Sequence, residues 1–60
     1  MTTQQIAAEL RALAREMRRV AQSMCEAGLL SGLLRHGHEL RGAAEIAESW
    51  ADAIEEEENP

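Results

Sequence analysis

Lysine, phenylalanine and tyrosine do not occur among the 60 residues, and cysteine, tryptophan and proline occur once each. With Cys25 alone there is no internal disulfide, and no cysteine pair to suggest a zinc site. A reducing, cytoplasmic setting is therefore expected. Trp50 is the only aromatic residue, so the stacking platforms used by single-strand nucleic-acid binders are missing. No apolar run approaches the roughly 18 residues of a membrane span. Residues 28–34 are apolar but short, and Ser31 and Gly32 interrupt them. The first residues show no succession of charged, apolar and small residues, so export is not expected. A chain this short buries a modest share of its surface, and such chains usually rely on a staple, a metal or a second subunit.

The net charge of −5 is unevenly placed. Residues 1–27 hold four arginines against three acidic groups, and residues 28–41 hold Arg35 and Arg41 against Glu39. Residues 42–60 hold seven acidic groups and no base. The C-terminal third therefore disfavours nucleic acid and suits a basic partner.

Hydrophobic spacing is helical throughout. Thr2 and Gln5 form a capping box, and Met1 and Ile6 stand at staple positions. From there Ile6, Leu10, Leu13, Met17, Val20 and Met24 alternate by four and three, a heptad seam with Ala7, Ala14 and Ala21 along its flank. Small residues on that flank let a neighbouring backbone come close. This first helix is predicted over 3–27. Gly28 is expected to close it as a left-handed C′ residue, with Leu29 touching Met24 in a Schellman ending. The turn is placed at 28–31, with Ser31 as N-cap of the second helix.

The second helix is predicted over 31–56. Gly32, Gly37 and Gly42 each weaken it by about 1 kcal/mol, so residues 29–38 are open to an irregular conformation. Leu33, Gly37, Leu40, Ala44, Ala47, Ala51 and Ile54 keep the same rhythm. Carboxylates at a helix C-terminus oppose the dipole, so a frayed acidic tail is expected at 55–60. The stretch Leu40–Ile54 carries an apolar arc of roughly 160°, against about 100° for one helix contact. Trp50 lies in the surplus.

A short turn makes the pair an antiparallel hairpin. Counting outward sets Ile6 against Ile54, Leu10 against Trp50, Leu13 against Ala47, Met17 against Ala44 and Val20 against Leu40. Two helices enclose no core, so the expected fold is all-α: one domain over 1–60, a hairpin dimerising into a four-helix bundle.

Candidate sites follow from these faces. Leu40, Ala43, Ile46, Ala47, Trp50 and Ile54, with His36, form a candidate dimer or partner interface. Glu45, Glu48, Asp52 and Glu55 form a candidate acidic partner face. Arg11, Arg15 and Arg18, continued by Arg19 and Gln22, are a candidate phosphate-binding stripe, or a face paired with Glu45 and Glu48. His36 and His38 lie two apart on a helix and do not converge on one ion. Cys25 has no base beside it in sequence. Neither a catalytic constellation nor a cofactor motif is present, so no enzyme, cofactor or metal is expected.

In its two heptad segments (6–27 and 33–54), its length and its tail Glu55–Glu58, the chain resembles the Rop-type plasmid regulators. Those are hairpins that dimerise into a four-helix bundle and bind paired RNA loops. The resemblance implies an RNA face on the first helix, for which Arg11, Arg15 and Arg18 are the available basic groups. In composition and size the chain also looks like short phage and prophage proteins that grip a host protein. The expected function is a non-enzymatic protein–protein module, a regulator or inhibitor of a partner protein. Alternatives are a Rop-like RNA modulator, an acidic mimic of nucleic acid, or a fragment of a larger assembly. Partners are expected to be a second copy and another protein, with nucleic acid less favoured and no membrane.

Overall fold

The computed structural model describes residues 1–28 and 31–58. They form two helices, α1 (Thr3–Glu26) and α2 (Ser31–Glu58), packed against each other as a hairpin. The molecule is a rod 47 Å long and only 15 × 12 Å across.

The start of α1 is set locally. The Thr2 hydroxyl accepts from the Gln5 backbone N–H at 3.1 Å, and the Gln5 side-chain oxygen accepts from the Thr2 N–H at 2.7 Å. Two N–H groups that a helix start leaves without partners are thereby satisfied. Met1 remains exposed, so the staple with Ile6 adds little.

The end of α1 differs from the Schellman expectation. Ala27 is the C-cap at φ −84°, ψ 4°, its N–H shared between Ser23 and Cys25 carbonyls, and no described glycine has a positive φ. Gly28 is needed for space instead. A Cβ there would stand 3.0 Å from the Cys25 carbonyl oxygen and 3.3 Å from Leu34 Cβ, so a side chain would push its neighbours back by a few tenths of an ångström. Leu29, the expected C″ residue, lies outside the described residues, as do Leu30 and residues 59–60. Ser31 is the first residue of α2 itself. Residues 31–38 are helical despite their two glycines, because α1 supplies a packing surface that an isolated segment lacks.

α2 runs to Glu58, two residues beyond the predicted end. The acidic last turn is held across the hairpin. Thr3 Oγ1 donates to Glu58 Oε1, and Arg11 Nη1 donates to Glu55 Oε1. A hydroxyl and a guanidinium on α1 thus offset what the helix dipole disfavours.

Polar contacts tie the two helices together along their antiparallel length. Arg11 Nη2 meets Asp52 Oδ1 at 2.7 Å, Arg18 Nη2 meets Glu48 Oε1 at 2.5 Å, and Arg41 Nη2 donates to Gln22 Oε1 at 3.0 Å. These contacts reach α2 residues three to six positions beyond the partners counted outward from the turn, while Leu10 and Met17 pack on the Ala14, Ala44 and Ala47 cluster. The rotation of α1 is different, whereas α2 turns inward the row its spacing predicts, with Gly37, Ala44, Ala47 and Ala51 buried and Leu33, Leu40 and Ile54 half-buried. The residues closed off between the helices are Ala7, Ala14 and Ala21 on α1 with Ala44, Ala47 and Ala51 on α2. Leu10 and Met17 pack at the side of this seam, half-buried, and Leu13 is 53% exposed.

The physical reason lies in residue size. A seam of alanines lets the two backbones approach closely, and dispersion grows with every atom brought into contact. Gly37 shows how close they are, since a Cβ there would fall 2.8 Å from Cys25 Sγ and 3.1 Å from the Ala21 carbonyl oxygen. Centring the contact on the leucines would hold the helices further apart and swing Arg11 and Arg18 away from their carboxylates.

Candidate functional site

Turning each helix so that its alanines meet gives the hairpin two unlike faces. At roughly 100° per residue, Arg11 and Arg18 fall to one side of the α1 alanines, while Ile6, Leu10, Leu13, Met17 and Val20 fall to the other. On α2, Glu48, Asp52 and Glu55 share the side of the arginines, as their ion pairs require. Ala43, Trp50 and Ile54 take the opposite side, and Leu40 falls in line with the alanines. One face is thus laced with charge and the other is apolar.

No side chain larger than alanine is fully buried anywhere among the described residues. On the apolar side Trp50 is 59% exposed, Leu13 53% and Ile46 52%, with Ile6 at 37%. Leu40, Ala43 and Ile54 are half-buried. Ala47, read from sequence as an interface residue, is shut between the helices with Ala14 and Ala44 and so serves the hairpin itself. His36 is exposed, its Nδ1 2.8 Å from Glu39 Oε1, and Arg35 lies 3.9 Å from the same carboxylate. Ile6 and Leu13 were not on the sequence-derived interface, having been placed inside the α1 seam. The signal that finds them is the competing Ala7–Ala14–Ala21 heptad, which claims the seam and turns the leucines outward.

The charged face is paired rather than open. The hydrogen bonds that Arg11 donates to Glu55 first and Asp52 second raise its pKa, and the bond to Glu48 does the same for Arg18. Reciprocally, the hydrogen bond from Arg18 holds the Glu48 carboxyl below its ordinary 4.5. The like charges of Glu45, Glu48 and Asp52 thereby gain a basic neighbour. Glu45 itself stays exposed and acts on Arg18 only at a distance. Of the candidate phosphate stripe, Arg11 and Arg18 are engaged with α2 and Arg15 is exposed. Arg19 pairs with Glu16 one turn back, and Gln22 bonds both Arg41 and Glu26.

Among the described residues there is no pocket, and no three His, Cys, Asp or Glu side chains gather where an ion would sit. No described helix is long and apolar enough to cross a membrane. Compared with models of known protein families, with curated proteins and with solved structures, the chain matches none of them.

Proposed function

We propose that this chain is a non-enzymatic interaction module, a helical hairpin that pairs with a second copy through its apolar face and regulates or inhibits a partner protein by contact. One observation carries the reading: among its described residues the hairpin buries nothing larger than alanine and leaves Leu13, Ile46 and Trp50 more than half exposed. Alanine contributes little transfer free energy, at about 25 cal/mol per Å² of apolar surface. Most of the stabilisation that 60 residues need must come from covering the larger side chains. A second copy does so with a four-helix bundle.

The outward carboxylates, Glu45 first among them, are left to meet a basic partner. Phosphate binding by the arginine stripe would require breaking the pairs that Arg11 and Arg18 make with Asp52, Glu55 and Glu48. That cost favours the protein-directed reading over RNA binding. The same pairs offset the charge a nucleic-acid mimic would display.

Sedimentation equilibrium at micromolar concentration tests self-association. The expected result is twice the chain mass, with the Trp50 indole shielded from acrylamide. A helical single copy with a freely quenched indole overturns the reading. For the regulatory part, Glu45→Lys is expected to keep the dimer and lose a captured host protein. Unchanged capture, or capture of RNA that weakens steeply with salt, overturns that part.

A further inference from the structure

On α2 a second heptad row lies away from α1: His36, Glu39, Ala43, Ile46, Trp50, Ala53 and Glu57, spaced alternately by three and four. All are exposed except the half-buried Ala43. A strict three–four row is the signature of a helix contact, and this one is unused inside the hairpin. Laid antiparallel on itself about Ile46, the row is self-complementary. Trp50 meets Ala43, large against small, and Ile46 meets its own copy.

The charges agree with that direction. The loop end of α2 carries Arg35, His36, His38 and Arg41 with Glu39 the one carboxylate, whereas Glu55–Glu58 occupy the other end. Antiparallel packing places Glu57 beside Arg35 and His36 of the other copy. Packing with both loops at one end would crowd the two acidic ends together. The area suffices as well. A face about 36 Å long for 24 helical residues and 15 Å wide gives roughly 540 Å² per copy in plan, or about 1,100 Å² for two, which clears the roughly 1,000 Å² a biological interface needs, at the small end of the size classes.

We infer that the occupant of this row is a second copy of the chain, with α2 antiparallel to the partner's α2, the two-fold axis at Ile46 and the two turns at opposite ends of the bundle. The inference rests on the self-association proposed above and specifies its geometry.

Disulfide trapping in the full chain separates the two. In a Cys25→Ser, Ile46→Cys variant, mild oxidation should link more than half of the chains as covalent dimers, because the two thiols meet at the axis. The same variant is weighed under reducing conditions. A reduced dimer that does not cross-link overturns the antiparallel arrangement while leaving self-association standing. A reduced monomer of undiminished helicity overturns both. A charge exchange provides a check that does not alter Ile46. Arg35→Glu alone should weaken dimerisation about tenfold, as two exposed pairs per dimer are reversed, and adding Glu57→Arg should restore most of it. Equal weakening by the single and double variants overturns the arrangement.

Discussion

Of the four glycines, Gly37 has the least room. An added Cβ would meet Cys25 Sγ at 2.8 Å, Ala21 O at 3.1 Å and Met24 Cβ at 3.3 Å. The helix preference of alanine over glycine is worth about 1 kcal/mol, but overpacking a tight contact costs about 1–3 kcal/mol. Gly37→Ala should therefore lower stability by roughly 1–2 kcal/mol, read from the urea midpoint. Cys25→Ala on top should return part of the loss, since it removes the nearest atom, but not all of it, since the Ala21 carbonyl belongs to the backbone. A Gly37→Ala variant more stable than the parent would show that the helices stand further apart. Cys25 matters as the atom that Gly37 makes room for.

Between the helices, pairing depends on pH in one direction. Glu48 is held below its ordinary 4.5 by Arg18, and in the unfolded chain it returns to that value. Its contribution is thus complete above about pH 4.5 and disappears as pH falls through the lower folded value. Urea unfolding at pH 7 and pH 3 should show the hairpin weaker in acid. Glu48→Gln should shrink that difference, and the same difference in both proteins would remove Arg18–Glu48 from the account. The effect is small because both groups face solvent. At this scale the sequence was informative about element type and the capping box, since both rest on local spacing. It was less so about rotation. Leu13 and Ala14 are adjacent, and either could face α2. The choice is made by alanine contact and the Arg11 and Arg18 ion pairs together, which no single helix displays. Gly28 was misread for a related reason: a glycine excluded by crowding and one required by a left-handed φ look alike in sequence.

For the whole molecule, seam and apolar face should separate experimentally, because different residues build them. Ala14 is fully buried between the helices, so Ala14→Leu forces them apart and should lower helicity and stability together, by about 1–3 kcal/mol. Trp50 touches water over 59% of its surface in the hairpin, so Trp50→Ala removes little that holds α1 to α2. If the apolar face joins two copies, however, each dimer loses two indoles. Large interface side chains contribute about 2 kcal/mol or more at hot spots. Such a loss corresponds to roughly a thirtyfold rise in dimer Kd for one indole, and more for two. Circular dichroism at concentrations above the new Kd should then look native, while sedimentation at low micromolar concentration should show single chains. Leu13→Ala should behave in the same way with a smaller shift. An unaltered dimer in both variants would place the contact elsewhere on the rod, and the row centred on Ile46 could not then be where the copies meet.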